Sequence, residues 1–343
     1  MSIPDQRAPD QPAPLRVSPR RDTLLGLSRE HIPLLATILL CAALYAICCA
    51  RFGHFGSGVV RANLLNYRAF LGVAAIGSTF VILSGGIDLS VGSVIGLTTV
   101  LLAQLIGPAH VHPLLAFAIV LAGGSVLGAA MGAIIRFFDV PPFLVTLAGL
   151  FACRGLALRI SRESIPITHD FYDALTSWHV SVLGMDLHVT ALIFLATVAA
   201  GVVIGRFTSF GRTCYAIGGS EIAARLMGLA VGPTKIAVYA LAGFCSALAG
   251  IVLTITTPSG DANAGMGLEL DAIAAVVVGG TLLTGGSGSA IGTFFGVLTF
   301  GIIKTAIEFD GRVDSAWNKI VIGLLLLAFI VLQRLLQRKG THA

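Results

Sequence analysis

Between Arg68 and Arg136 the chain carries a single residue of the charged types Asp, Glu, Lys and Arg, which is Asp88. About a quarter of the residues in a soluble domain are charged, because a water-facing surface needs them. Here charged residues make up only 11% of the 343-residue chain, while 56% are hydrophobic. The sequence therefore predicts an all-α, polytopic membrane protein whose outer surface contacts lipid over most of its area.

Apolar runs long enough, or nearly long enough, to cross about 30 Å of hydrocarbon recur along the sequence. We expect a bundle of ten transmembrane helices, of which the fifth and eighth are short and could be broken or re-entrant. The predicted spans are residues 32–50, 69–85, 91–107, 113–135, 142–158, 189–205, 236–256, 270–284, 288–306 and 320–336. Ten spans place both termini on one side, and the arginine-rich N-terminal segment predicts that this side is cytoplasmic.

The spans divide the chain into a polar tail and a membrane domain. Residues 1–30 are rich in proline and arginine, which predicts a disordered cytoplasmic tail. Residues 31–337 form the predicted transmembrane domain, with a periplasmic loop at 159–188 and a cytoplasmic loop at 206–235. The six cysteines form no CxxC pair, so we expect buried thiols and neither a disulfide framework nor a zinc site.

Glycines recur at intervals of four in several spans. Small residues at this spacing let the backbones of two helices approach closely in lipid, where no hydrophobic effect drives helix association. The glycines concerned are Gly92 and Gly96, then Gly124, Gly128 and Gly132, and finally Gly288, Gly292 and Gly296. The pattern predicts a tightly packed bundle and carries no information about a ligand.

Two segments, residues 84–96 and 278–292, repeat one pattern of a Gly-Gly break, a short polar turn and a Gly-Ser-x-Ile-Gly helix start. Paired hydrophobic segments interrupted by glycine indicate the transport pathway in many transporters. Tight turns that need glycine would give the same pattern, and both interpretations stay open. The candidate pathway or gate residues are Gly85, Gly86, Asp88, Ser90, Gly279, Gly280, Thr281, Thr284, Gly285 and Gly286.

Asp88 is the most exceptional side chain, because an ionisable group in an apolar region is costly unless it faces a cavity, a partner or an interface. It could act in the pathway, in gating or in a contact with a partner. It could also cap the helix that starts near Ser90, with its carboxylate accepting backbone N–H groups. We favour the cap, and the two roles are compatible.

Within the 206–235 loop, Ser220 is a candidate N-cap for a short helix of sequence EIAARLMG, which Gly228 closes. A short, capped, half-polar helix on the cytoplasmic side fits the docking of a soluble partner. An ordinary helix lying on the membrane surface would show the same pattern.

Motifs of known chemistry are absent from the sequence. It contains no GxxxxGK[ST] phosphate loop, no HExxH zinc motif, no GxSxG and no dinucleotide fingerprint. Glu269 and Asp271 start the eighth span, where acids complement the helix dipole, and no histidine accompanies them. We therefore expect no catalytic, cofactor-binding or metal site. The energy for any uphill transport would come from a partner or from an ion.

Three long motifs occur in order along the chain: ILSGGIDLSVGSVIGL, YAIGGSEIAARLMGL and DAIAAVVVGGTLLTGGSGSAIGTFFG. They resemble the integral membrane permeases of bacterial ABC importers for ribose, xylose, arabinose and related sugars, and the resemblance extends over residues 32–337. The segments SRESIPITHDFYDAL, GLELDAIA and EFDGRVDSAWNKIVIGLLLL are most similar to permeases of galactofuranose importers. The polar N-terminal extension departs from that pattern.

The resemblance implies a multi-pass protein of the bacterial inner membrane, surrounded by lipid, that pairs with an identical or different second permease. Two ATP-binding subunits, which use ATP and Mg²⁺, would dock on the cytoplasmic side, and a periplasmic sugar-binding protein would dock opposite. The implied ATPase contacts are Ser220, Glu221, Ala223, Ala224, Arg225, Leu226 and Gly228, and the implied binding-protein contacts are Arg162, Glu163, Asp170 and Asp173. No basic stripe interleaved with aromatic residues indicates nucleic acid.

The expected mechanism is alternating access that carries a monosaccharide, galactofuranose, inward as the partner ATPase closes. Another solute of the same family, such as ribose, xylose or an autoinducer, is the main alternative. An ion-coupled secondary transporter would need ionisable groups inside the bundle, and only Asp88 qualifies. A membrane-embedded enzyme would need clustered polar groups at the membrane surface, and the sequence shows none.

Overall fold

The computed structural model describes residues 32–310 continuously, together with residues 23–24, 27–28, 320, 323–324, 327 and 331. The two short N-terminal pieces pair as antiparallel strands and belong to a unit of their own. The rest of the predicted tail, 1–30, lies outside the described residues, and so does most of the tenth predicted span, 320–336.

Helices dominate the described residues. In chain order they are α1 (Ile32–Arg51), α2 (Gly58–Asn66), α3 (Ala69–Leu83), α4 (Val91–Ile106), α5 (Pro113–Phe138), α6 (Pro142–Ile160), α7 (Asp170–Ser177), α8 (Val189–Phe207), α9 (Ser209–Gly219), α10 (Glu221–Leu226), α11 (Val231–Thr256), α12 (Leu268–Val278) and α13 (Ala290–Asp310). The strands are β1 (Thr23–Leu24), β2 (Leu27–Ser28), β3 (Ile165–Pro166), β4 (His179–Val182), β5 (Met185–His188) and β6 (Ser259–Gly260). They pair antiparallel as β1–β2, β3–β6 and β4–β5.

Six described helices, in α1, α5, α6, α8, α11 and α13, are long and apolar enough to cross a membrane, and α2 with α3, bent by 48° at a short break, would make a seventh. α4 is apolar but has only 16 residues. The fifth predicted span, which could have been broken, is the unbroken 19-residue helix α6. Each of the first nine predicted spans thus coincides with a helix, whereas the count of ten and the cytoplasmic termini stay predictions.

The eighth predicted span, 270–284, which could have been broken, is helical only in its first half. α12 has only 11 residues and ends at Val278. Beyond it Gly280 takes a φ of +90°, which a helix cannot contain. The glycine pair 279–280 ends the helix, so of the two short spans that could have been broken, the eighth is the one that is.

α11 lies at the centre of the bundle and packs along α5, α3 and α4. Its contact with α5 depends on two glycines spaced by four: a Cβ atom at Gly124 or Gly128 would overlap the main-chain carbonyls of Gly243 and Tyr239, respectively. Gly132 lies against the next turn of α11. The close helix approach that this glycine series predicts is confirmed.

The other glycine series also lie at close backbone contacts, though not all between two helices. Gly292 and Gly296 of α13 lie against main-chain carbonyls at the end of α12 and just beyond it. Gly92 and Gly96 of α4 lie against carbonyl oxygens of the connection between α11 and α12. Gly288 instead lies against the side chain of Thr281.

The two ends of α11 hold the two predicted loops apart. A helix of 26 residues is about 39 Å long, close to the thickness of a bilayer. Near its start, Lys235 forms an ion pair with Glu221 of α10. Near its end, the hydroxyls of Thr254 in α11 and Tyr172 in α7 lie 3.2 Å apart. The β3–β6 pair also joins the loop before α7 to the residues just after α11. The loop containing α10 and the loop containing α7 therefore lie at opposite ends of α11.

Candidate functional site

The short helix α10 begins where the sequence predicted. The hydroxyl of Ser220, its N-cap, accepts a hydrogen bond from the N–H of Ala223 at 3.3 Å. Ala224 is fully buried and packs with Ile217 of α9 and Val231 of α11. Capping fixes the start of this helix, and the buried alanine fixes which side of it faces the bundle.

The end of α10 is a Schellman motif, in which a left-handed residue just past the helix turns the chain back. Gly228 has a φ of +75° and its N–H donates to the carbonyl of Arg225, while the N–H of Leu229 donates to the carbonyl of Ala224. The predicted closure by glycine is confirmed. Such a defined start and end make α10 a rigid unit rather than a loose turn.

Glu221 fastens α10 to the bundle. Its Oε1 accepts a hydrogen bond from Arg225 and its Oε2 accepts one from Lys235 of α11, each at 2.6 Å. Burial acts to raise the pKa of Glu221, but the hydrogen bonds and charges of Lys235 and Arg225 outweigh it and hold that pKa below its usual range. At neutral pH the carboxylate is therefore charged and both of its oxygens are occupied.

The opposite side of α10 is apolar and exposed. Ile222, Leu226 and Met227 are 75%, 84% and 68% exposed, and Ala223 is exposed between them. Large apolar side chains grouped on an exposed surface indicate a site of interaction with a partner or with lipid. The buried face is held by Ala224 and Glu221, so this face stays available.

The two repeated glycine segments, far apart in sequence, meet in the structure. The N–H of Gly286 donates to the carbonyl of Leu83 at 3.0 Å. Gly285 and Gly286 have φ values of +84° and +76°, which favour glycine. A Cβ atom at Gly85, in the first segment, would lie 3.7 Å from the carbonyl oxygen of Thr284. The structure thus brings four of the predicted gate residues, Gly85, Thr284, Gly285 and Gly286, into one junction.

The end of α9 packs directly onto this junction, a contact that the sequence analysis missed. A Cβ atom at Gly218 would overlap both the carbonyl oxygen of Leu83 and the nitrogen of Gly286. Tyr215 of α9 also donates a hydrogen bond from its hydroxyl to the carbonyl of Gly288, at 2.8 Å. Because α9 ends at Gly219 and Ser220 caps α10, only Gly219 and Ser220 separate α10 from Gly218 at the junction. The only signal in the sequence was the Gly-Gly pair in YAIGGSEIAA.

Asp88 lies inside the first segment and is 3% exposed. Its Oδ1 accepts hydrogen bonds from the N–H of Ser90 at 2.8 Å and from the Ser90 hydroxyl at 2.6 Å. The carboxylate thus binds Ser90, the N-cap residue of α4, in a turn just before the helix, and it accepts no hydrogen bond from an N–H of the helix itself among the described residues. A role in gating stays a prediction. Gly86 is buried beside it, where a Cβ atom would overlap the hydroxyl of Tyr239. That hydroxyl is buried and has no hydrogen-bond partner within residues 32–310.

In the second segment, the residues that follow α12 form a tight turn. Gly279 caps α12 through its N–H, which donates to carbonyls of the last turn. Thr281 is fully buried, and the N–H of Leu282 donates to the carbonyl of Ser287. Thr284 is exposed at the tip. The turn explanation for the glycine pattern is therefore correct for this segment, and it does not conflict with a gating role.

The four predicted binding-protein contacts, Arg162, Glu163, Asp170 and Asp173, are all exposed at the other end of the bundle. Asp170 and Asp173 lie in the first turn of α7, where acids are favoured by the helix dipole. Within the described part of the chain none of these four side chains forms an ion pair. The surface they share is charged, accessible and supported by the β3–β6 pair.

Glu269 acts structurally at the start of α12, as the sequence suggested. Its Oε1 accepts a hydrogen bond from the N–H of Gly267 at 3.2 Å. Asp271 lies in the same first turn. Among the residues that the structure describes, no group of three or more His, Cys, Asp or Glu side chains could hold a metal ion.

Comparison with known proteins places this geometry in a family. A family model described as "Branched-chain amino acid transport system / permease component" matches residues 60–330. The match includes both glycine segments, α9, α10 and α11. No solved structure matches the chain.

Three relatives cover nearly the whole fold. The chain is 49% identical over 308 residues to "Inner membrane ABC transporter permease protein YjfF" of Escherichia coli (strain K12), covering 89% of this chain and 93% of that one. It is 37% identical over 323 residues, 92% and 94% of the two chains, to "Fructose import permease protein FruG" of Bifidobacterium longum (strain NCC 2705). It is 41% identical over 277 residues, 79% and 84%, to "Ribose import permease protein RbsC" of Bacillus subtilis (strain 168).

Proposed function

Because the chain belongs to the family of ABC-transporter permease components that includes ribose and fructose import permeases, we propose that it carries a monosaccharide inward by alternating access. It is a multi-pass protein of the inner membrane and a transport subunit rather than an enzyme. ATP-binding subunits supply the energy, and this chain supplies the path.

The junction between α9, α10 and the two glycine segments carries this proposal. Any partner that displaces α10 also displaces Gly218, which contacts the main chain of both segments. The exposed apolar face around Leu226 gives the ATPase a surface to hold, and the ion pair of Glu221 with Lys235 transmits the motion to α11. A movement at the cytoplasmic end thus reaches the predicted gate without an intervening flexible linker.

At the opposite end, the loop that contains α7 supports docking of a periplasmic sugar-binding protein. Arg162 and Glu163 precede the β3–β6 pair, and Asp170 and Asp173 follow it on α7. Charged, exposed groups on a supported surface favour steering and registration of a partner more than tight binding. A second permease, identical or different, would complete the transport path alongside this one.

The cargo we propose is galactofuranose. The support is the local similarity of SRESIPITHDFYDAL and GLELDAIA to permeases of galactofuranose importers. The family description names branched-chain amino acids, while the names of two relatives state fructose and ribose, so family membership alone does not select a cargo. Ribose, xylose or another small solute such as an autoinducer is the alternative.

Uptake of labelled galactofuranose, ribose, xylose and fructose by cells that express the whole transporter tests both parts of the proposal. The variants are Glu221→Arg and Arg225→Glu, with Arg212→Glu as the control because Arg212 is exposed in the same loop outside α10. We expect galactofuranose uptake to be lost in the first two variants and retained in the control, with equal amounts of chain in the membrane.

Uptake of a different sugar with the same loss in both variants would discard the cargo and keep the mechanism. Unimpaired uptake in well-expressed Glu221→Arg and Arg225→Glu cells would discard α10 as the ATPase contact. Uptake that a protonophore abolishes, and that loss of the ATP-binding subunits leaves intact, would favour an ion-coupled transporter.

A further inference from the structure

A cavity of about 470 Å³ lies beside α10, at the same end of the bundle. It is lined by Arg136 and Phe137 at the end of α5, by Arg225 of α10, and by residues 229–233 and Ile236 at the start of α11. The permease mechanism proposed above assigns no role to this cavity. Its size is comparable to that of small-molecule sites in proteins.

The charge around the cavity is positive. Among the residues that the structure describes, two arginines line it and no acidic side chain does. Glu221 forms ion pairs with both Arg225 and Lys235, one through each carboxylate oxygen. One negative charge therefore faces two positive charges, and neither oxygen is left to pair with Arg136. Arg136 forms no ion pair or hydrogen bond with any described residue and is partly buried. A partly buried guanidinium without a counter-charge favours a bound anion.

The start of α11 is shaped around Arg136. A Cβ atom at Gly232 would lie 2.5 Å from the Nε of Arg136, so the glycine leaves the space that the guanidinium occupies. The first turn of α11 has no side-chain cap, and the positive end of the dipole of this 26-residue helix adds to the charge of the two arginines. Acidic Asp139, three residues after Arg136, is exposed and does not line the cavity.

The apolar surroundings indicate where the anion comes from. Phe137 and Phe138 are 73% and 75% exposed at the end of α5, and an exposed apolar surface that includes Ile134 and Val126 continues along the same helix. α5 is a 26-residue membrane span, so its end lies at the depth of the lipid headgroups. Arginines beside aromatic residues at that depth favour a lipid phosphate held by the arginines, with its acyl chains along the helix.

We propose that this cavity binds the phosphate of an anionic phospholipid headgroup, with Arg136 as the principal contact. The occupant is a lipid rather than a soluble partner, because Phe137, which lines the cavity, also belongs to the exposed apolar surface at the end of α5. The inference depends on neither the cargo nor the docking of the ATPase.

The test is native mass spectrometry of the purified full-length chain, titrated with phosphatidylglycerol and with phosphatidylethanolamine. We expect wild-type chain to prefer phosphatidylglycerol and Arg136→Gln to bind it about tenfold more weakly, as loss of a charge-assisted contact implies. Arg136→Lys, which keeps the charge, should retain most of the binding. Arg212→Gln removes an exposed charge from the same loop region as α10, outside the cavity, and should bind like wild type.

Equal phosphatidylglycerol affinity in Arg136→Gln and Arg212→Gln, with both chains folded by gel filtration and circular dichroism, would overturn the proposal. Inorganic phosphate that displaces phosphatidylglycerol at equal concentration would identify a free-anion site instead. Loss of ATP-binding subunits from Arg136→Gln with unchanged lipid binding would show that the cavity is a protein contact.

Discussion

At the scale of single residues, the junction of the two glycine segments depends on glycines more than on charged side chains. Asp88, the most conspicuous residue of the sequence, serves to hold Ser90 at the start of α4. Gly218, which no motif singled out, lies between the main chains of Leu83 and Gly286. A charge in an apolar sequence is visible from composition. The role of Gly218 is not visible in this way. Its missing Cβ leaves room for main-chain atoms that lie 135 and 68 residues away in sequence, and nothing in the neighbouring sequence identifies those partners.

Replacing Gly218 by alanine should disrupt the junction. Its Cβ would overlap main-chain atoms that cannot rotate away, so we expect a loss of about 1–3 kcal/mol in unfolding free energy and a marked fall in transport. Gly219→Ala is the matched control, because nothing lies within 4 Å of a Cβ there. Thermal unfolding and uptake should change in Gly218→Ala only. Equal behaviour of the two variants would remove Gly218 from the account.

The Glu221 anchor should depend on pH in one direction. The pKa of Glu221 is lowered in the folded chain, so its stabilisation is complete above the ordinary glutamate pKa, about 4.3, and is lost as pH falls through the lowered value. Glu221→Gln should therefore speed amide hydrogen exchange over residues 220–228 at pH 7, and the difference from wild type should vanish only in strong acid. Exposed Glu163→Gln should have no such effect. A difference that disappeared between pH 5 and 8 would contradict this account.

At the scale of elements, the sequence predicted which helices form better than it predicted where each helix ends. Both ends of α10 follow from Ser220 and Gly228, because a cap and a left-handed glycine are local features. The spans also follow from apolar runs, but α12 stops at Val278 although its apolar run continues. The glycine series predicted close packing correctly, whereas which element each series contacts depends on the three-dimensional arrangement of the bundle. Hydropathy averages over a window and does not detect a break of two residues.

The contact of α5 with α11 offers a test at this scale. Gly128→Ala would place a Cβ atom on the Tyr239 carbonyl, so the helices must separate and the melting temperature of the purified chain should fall by several degrees. Gly123→Ala changes the neighbouring exposed side of the same helix, where nothing lies within 4 Å. It should leave the melting temperature unchanged or slightly raised, since alanine favours helix. A larger loss in Gly123→Ala than in Gly128→Ala would refute the assigned packing.

At the scale of the whole molecule, α11 connects two surfaces of different chemistry. One end carries the apolar face of α10 and the ion pairs of Glu221, and the other carries the charged loop that contains α7. Between them lies the junction of the two glycine segments, held by main-chain contacts and by the hydrogen bond from the Tyr215 hydroxyl to the carbonyl of Gly288. Under the proposed mechanism, a partner bound at one end would change the path for a solute that is delivered at the other. The proposed function thus depends on how α10, the glycine junction and the loop containing α7 are arranged along the bundle, and no single sequence motif indicates it.

The central claim is that α10 is the surface on which the ATP-binding subunits assemble. The most direct measurement is recovery of those subunits with affinity-purified chain carrying Leu226→Asp or Leu183→Asp. These leucines are 84% and 83% exposed, but Leu226 lies on α10 and Leu183 lies in the β4–β5 turn at the opposite end. We predict that Leu226→Asp loses the ATP-binding subunits while Leu183→Asp retains them, with both chains equally abundant in the membrane. Full recovery with Leu226→Asp would contradict the claim.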